Sequence, residues 1–310
     1  AIAHFDFMTM TMTTVSIALM NTLFRLATVI VLTPLIGLLE KCVCLLIPEN
    51  PESIREEQEM DRLEERFLLH PALALEQSRQ VTDAMARRAM DNLLRAMELV
   101  HKFSDKGCRA VEDAENAIDR YEDRLGTYLM KITGKELSQR QSEEVSKYLH
   151  TISDFERISD HALNISEAAK EIHDKDLQFS PEACHELDVI ESAVREILSI
   201  AVGAFVENDP QRASRVEPLE EIIDGLCDEL KLHHVDRLQK GVCTLNQGFI
   251  FNDLLTNYER VADHCSNIAV AMIELESDSF DTHEYLNSVK AMKSASFARY
   301  SAEYQKKYTL

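Results

Sequence analysis

The chain changes character near residue 48. From Met8 to Leu39 one charged residue, Arg25, interrupts an apolar run too long for the core helix of a soluble domain, and a membrane segment is expected. A single helix from about Val15 to Leu38 puts Arg25 near its middle; the alternative breaks near Asn21 to Arg25 and resumes from Leu26 toward Ile47 with a kink at Pro34. The acidic run Glu52 to Glu65 reads as a linker or short solvated helix. After Pro71 apolar residues recur at helical spacing: Val81, Met85, Leu93, Met97 and Val100. Lys106-Gly107 interrupts that helix. A second is expected from about Cys108 to Thr133, stopped by Gly134 in a left-handed conformation. Ser138 with Gln141 is a capping box that opens a third, to about Lys170.

The same three-helix order follows again. Ser180-Pro181 starts a helix to about Glu207, Asp209-Pro210 starts one that ends at Gly241, and Thr244 starts a long one to about Leu275. A shorter helix from about His283 to Lys306 finishes the chain. No stretch alternates as a strand does, so the expected fold class is all-α: an apolar membrane segment followed by two three-helix units in a bundle.

A repeated word runs through this order. Phe155-Glu-Arg-Ile-Ser-Asp-His-Ala-Leu-Asn-Ile165 returns as Tyr258-Glu-Arg-Val-Ala-Asp-His-Cys-Ser-Asn-Ile268. In each copy Glu and Asp stand four apart, so both carboxylates share one helix face: Glu156 with Asp160, and Glu259 with Asp263. The middle helices carry the same spacing at Glu115 with Asp119 and at Glu220 with Asp224. Counting back from each turn, the arms of both hairpins differ by only about 3 to 4.5 Å in length. The two acidic pairs of each unit therefore meet at nearly one level. Four carboxylates at one height point to bound hard cations such as Mg, Mn, Ca or iron; a solvated acidic face is the competing reading. His161 and His264 point away from the acids and are expected to pack, Arg157 and Arg260 to act as internal counterions, and Asn164 and Asn267 to extend the polar stripe.

Composition narrows the partners. The 310 residues carry 54 acidic against 33 basic side chains, a net charge of -21, which argues against nucleic acid. Seven cysteines without a C-x-x-C pair make no disulfide framework, and a reduced setting follows. Cys42 and Cys44, beside the apolar segment, are read as buried thiols ahead of acylation sites. Ala1 in place of Met, with no signal-peptide pattern behind it, reads as the start of a fragment.

The duplicated Glu-Arg-(Ile/Val)-x-Asp-His-x-x-Asn-Ile, with its upstream Glu-x-x-x-Asp motifs, resembles the PhoU family of phosphate-regulatory proteins over about residues 75 to 275. The resemblance implies multinuclear metal sites, often iron, on those motifs; Mn, Mg or Zn are the other ions expected. Ala1-Ile-Ala-His4, Leu35-Ile-Gly-Leu-Leu-Glu-Lys41, the stretch Leu63 to Gln77 and the Tyr-rich C-terminal helix further resemble bacterial sodium/phosphate cotransporters with a fused PhoU-like domain. That implies residues 1–48 as the remnant of a membrane domain, 49–74 as linker, 75–280 as the double three-helix domain and 281–310 as a C-terminal helix. It also implies a multi-pass protein of the plasma membrane, with residues after about 50 cytoplasmic.

The leading expectation is then the C-terminal part of a sodium-dependent phosphate symporter with a regulatory, non-enzymatic domain. Sodium and phosphate are the ions of the missing transport part, the Gln-Ser-Ser signatures of transport are absent, and self-association stays open. A PhoU-type signalling adaptor acting on a separate transporter or sensor kinase is the alternative. A carboxylate-bridged di-iron enzyme is a third, resting on Glu98 with His101 and Glu182 with His185 at Glu-x-x-His spacing.

Overall fold

The computed structural model describes residues 13–37, 51–274 and 295–310. Cys42, Cys44, the Ala1–His4 motif and the start expected for the last helix lie outside them. The chain divides into two units, Ala1–Glu57 and Gln58–Leu310.

In the first unit, α1 runs unbroken over Thr14–Leu32, straight through Arg25, as in the single-helix reading, and the alternative break near Asn21 to Arg25 does not occur. Thr13 and Ser16 close a capping box at its start, and Pro34, which has no N–H to donate, turns the chain into a 3-10 segment at Thr33–Leu35. Thr22, Thr28 and Thr33 hide their hydroxyls by donating to carbonyls one turn back. Thr14–Leu35 spans 22 residues with mean hydropathy 1.9, long and apolar enough to cross a membrane, and no residue of α1 is buried.

After α2 (Pro51–Met60) and a 3-10 turn at Glu65–Leu69 come the helices of the second unit. They are α3 (Pro71–His101), α4 (Asp105–Thr133), α5 (Gln139–Asp174), α6 (Pro181–Glu207), a single turn α7 (Pro210–Ala213), α8 (Val216–Gln239), α9 (Leu245–Glu274) and α10 (Ala295–Lys307). No strand occurs among the described residues. The all-α expectation and the duplicated three-helix order hold.

Two caps differ from expectation. The first long helix ends at Lys102, with Ser104 as the next N-cap; Gly107 lies inside the first turn of α4, where a Cβ would come within 2.5 Å of Leu99 Cδ2. Gly134 caps α4 at φ -74, outside the left-handed region, which is used instead by Asn208 (φ 51) and Gly241 (φ 68). The capping box at Ser138/Gln141 forms as read, and the structure adds one at Thr244/Gln247, where only a helix start was expected. The acidic run before α3 is partly packed: Met60, Leu63 and Leu68 are buried, and Glu59 accepts from Tyr121 Oη at 2.5 Å and pairs with Arg88 at 3.1 Å.

Within each repeat three long helices pack on one another, α3, α4 and α5 in the first and α6, α8 and α9 in the second; α5 packs on α9 and α3 on α6 to join them. One continuous core runs through both repeats, with Phe155 and Tyr258, the first residues of the repeated word, fully buried in it. Burying each such side chain stabilises the fold by about 1.5–3 kcal/mol. That places the acidic pairs, four residues apart on the same helices, on the remaining face.

Candidate functional site

The second repeat shows the acidic constellation most directly. Carboxylate oxygens of Glu220 and Asp224 on α8 and of Asp263 on α9 lie within 4.8 Å of one another. The fourth acid, Glu259, accepts from Lys231 Nζ at 2.6 Å. Arg260 Nη1 reaches Asp263 at 2.9 Å. Burial, with Asp263 and Glu259 adding repulsion, raises the Asp224 carboxyl above the ordinary aspartate value.

In the first repeat the same residue types stand on α4 and α5, and neighbouring acids raise the carboxyls of Glu115 and Glu156. Glu115 is raised by burial and by Asp119 and Asp160. Glu156 is pushed up to about 7 by burial first and Asp160 next, with Arg157 opposing and Glu122 and Asp119 adding. Arg157 Nη1 pairs with Asp160 at 3.0 Å and its Nε lies 3.5 Å from Glu156. Among the described residues, the close three-oxygen arrangement forms in the second repeat alone.

Two participants escaped the sequence reading. Glu122 continues the stripe of Glu115 and Asp119 by one more turn, and the spacing i, i+4, i+7 was the available signal. Lys231 stands seven residues after Asp224, whereas the residue seven after Asp119 is Gly126. The cation within the second site thus has no counterpart in the first.

The other face of the repeated word has a different task. His161 Nδ1 donates to Asn257 Oδ1 at 2.9 Å, and His264 Nδ1 donates to Asp154 Oδ1 at 3.0 Å. Asn164 and Asn267 donate to the same two acceptors at 3.3 and 3.2 Å. Asp154 and Asn257 are equivalent residues, each two before the Glu of its copy. His and Asn, three apart, therefore clasp the sister repeat reciprocally, and the expectation that the asparagines extend the acidic stripe is corrected.

The Glu-x-x-His pairs are not drawn to the acids. His101 Nε2 bonds Glu191 at 2.8 Å, a buried carboxylate that also accepts from Tyr258 Oη at 2.8 Å, and Glu182 is fully exposed in the first turn of α6. Nothing among the described residues assembles the di-iron pattern. The donors that do converge are all carboxylate oxygens, which fits a hard cation and not a soft one.

Comparison with known proteins follows the same repeats. The PhoU domain family matches residues 82–169 and 189–272. The chain is 23% identical over 202 residues to the phosphate-specific transport system accessory protein PhoU homolog 1 of Thermotoga maritima, covering 65% of this chain and 86% of that protein. It is 24% identical over 222 residues to the PhoU homolog of Synechocystis, covering 71% and 90%. Crystal structures of PhoU from Pseudomonas aeruginosa and Streptococcus pneumoniae superpose with TM-scores of 0.63 and 0.61 at 20% and 17% identity. They cover 66% and 68% of this chain and nearly all of theirs.

These findings correct the multi-pass plasma-membrane placement expected from the sequence. The matched relatives are described as accessory proteins, and the described residues hold one helix apolar enough to cross a membrane, not several. The family match begins at residue 82 and does not reach the apolar segment.

Proposed function

This chain belongs to the PhoU domain family, and on that premise we propose that it is a regulatory adaptor of phosphate transport whose two acidic sites hold hard metal ions. The observation that carries the metal reading is the convergence of Glu220, Asp224 and Asp263 from two helices; the same residue types stand at the corresponding positions of the first repeat. Glu115, Asp119, Glu156 and Asp160 would hold the first ion or cluster, and Glu220, Asp224, Glu259 and Asp263 the second. Carboxylates this close repel one another, and a bound cation converts that repulsion into attraction.

No reaction is assigned to the domain. A metal here supplies charge that ties α4 to α5 and α8 to α9, and the protein's own residues set the rest: Lys231 and Arg260 trim the anionic charge of the second site, and Arg157 that of the first. The adaptor role, carried by relatives described as accessory to phosphate-specific transport, is tested by deleting the gene and measuring phosphate uptake. Uptake that no longer responds to external phosphate supports it; unchanged uptake and regulation refute it.

A second reading, in which the domain regulates a sodium/phosphate symporter of which it is a part, is favoured by α1, whose apolar side chains have no burial of their own. Sodium distinguishes the two. If the uptake whose response to phosphate changes on deletion depends on a sodium gradient the second reading stands, and if it does not the first does.

A further inference from the structure

A cavity of about 900 Å3 opens between α3, the first half of α5 and the C-terminal end of α6, away from both acidic sites. It is far larger than an inorganic ion needs and lies in the range that encloses a small organic ligand.

On its wall is Lys147, only 8% exposed, with its ammonium against the Tyr148 and Phe205 rings at 5.2 and 5.6 Å. It makes one hydrogen bond, a long one of 3.3 Å to Asn208 Oδ1, and no ion pair among the described residues. An ammonium has three protons to donate, and burying it unpaired is costly. Burial accordingly holds the Lys147 pKa below the ordinary lysine value, although Glu144 and Asp83 pull it back. The fold does not demand a cation here, since nine residues before the Glu of the second word the chain has Ile250 where the first has Lys147.

The carboxylates on the same wall already have donors. Asp83 accepts from Arg79 at 3.1 Å, Glu143 from Gln139 at 3.0 Å, Glu144 from Tyr148 Oη at 3.0 Å, and Glu207 pairs with Arg212 at 2.9 Å. Burial lifts the Asp83 carboxyl to about 6; at neutral pH it is ionised and committed to Arg79. The charged donors left uncommitted are Lys147 and, at the rim, exposed Arg140.

We propose that this cavity binds a small organic anion, a metabolite whose phosphoryl or carboxyl group rests on Lys147 and Arg140 and whose body lies against Val206 and Met272. This ligand is separate from the metal ions proposed above, and the site does not depend on them. Bound between α3 and α5 of one repeat and α6 and α9 of the other, it stiffens the junction of the repeats.

Calorimetric titration of the full chain in metal-free buffer with AMP, glycerol 3-phosphate, citrate and inorganic phosphate tests this. At least one of the three organic anions is expected to bind with a Kd below about 1 mM and more tightly than inorganic phosphate. Glycerol 3-phosphate against citrate tells a phosphoryl from a carboxyl ligand. Lys147→Gln and, independently, Arg140→Gln are each expected to weaken binding about tenfold or more, the loss of one charge-assisted contact. Arg140 is exposed, so its replacement leaves folding intact and keeps the test meaningful if Lys147→Gln does not fold. No organic anion binding below 1 mM, binding no tighter than inorganic phosphate, or affinity indifferent to Arg140→Gln overturns the proposal.

Discussion

His161 and His264, the same residue in the two copies of the repeated word, face each other with ring centroids 5.6 Å apart, and each donates to the helix of the other repeat. The pair marks the seam of the molecule. Asp160 and Asp263 stand immediately before these histidines, on the neighbouring helix face, so the seam and both candidate metal sites share the helices α5 and α9.

The clasp is asymmetric, because its two acceptors are an amide and a carboxylate. Asn257→Ala leaves two donors, His161 Nδ1 and Asn164 Nδ2, without their shared acceptor, and is expected to destabilise the chain by about 1–3 kcal/mol. Asp154→Ala strips His264 and Asn267 in the same way. Urea unfolding checks both: the midpoint falls while the slope is unchanged, and the double substitution departs from the sum of the two losses, since the clasps meet at the His161–His264 ring pair.

A second contact between the repeats responds to pH. Its hydrogen bond to Glu191 raises the His101 pKa above the ordinary value, against the opposing effect of burial. A histidine raised on folding adds stability that is full below about 6.5 and is lost as pH climbs through the folded value. Stability measured by urea from pH 5.5 to 8.5 should fall over the upper part of that range, and His101→Gln should flatten this component.

Gly248 sits where a side chain would collide. A Cβ there would lie 2.3 Å from His234 Nε2, on a ring stacked against Phe251 with centroids 5.4 Å apart. Gly248→Ala is therefore expected to cost about 1–3 kcal/mol despite the better helix propensity of alanine, read as a drop in the thermal midpoint. A rise instead would show that the His234 ring swings clear.

Without metal, the acidic sites work against the fold. Burial and Asp160 raise Glu156 to about 7, so its ionised form destabilises the native state as pH rises from about 4.5 through 7. In chelator at pH 8, Glu156→Gln and Asp224→Asn should each stabilise the chain, by about 0.5–1 kcal/mol after allowance for solvent screening. With metal present the same changes should destabilise it.

Much of this was legible in the chain itself. Helix order, the capping box at Ser138 and the helix start at Thr244 follow from spacing, because helical rise and capping are local. What side chains do across helices was not. Spacing says that His161 leaves the acidic face but not that it finds Asn257, and it leaves Lys231 indistinguishable from any surface lysine. The break at Lys102 to Ser104 was misplaced onto Gly107 because a glycine that admits Leu99 looks the same in sequence as one that ends a helix.

The central claim, that each repeat holds metal on its own acidic pairs, is tested most directly by elemental mass spectrometry of the purified full chain beside Asp160→Ala and Asp263→Ala. The account predicts stoichiometric metal, with each substitution emptying one site and the double substitution both. Metal-free protein that stays folded and is indifferent to both changes would contradict it and leave the acids as a solvated face.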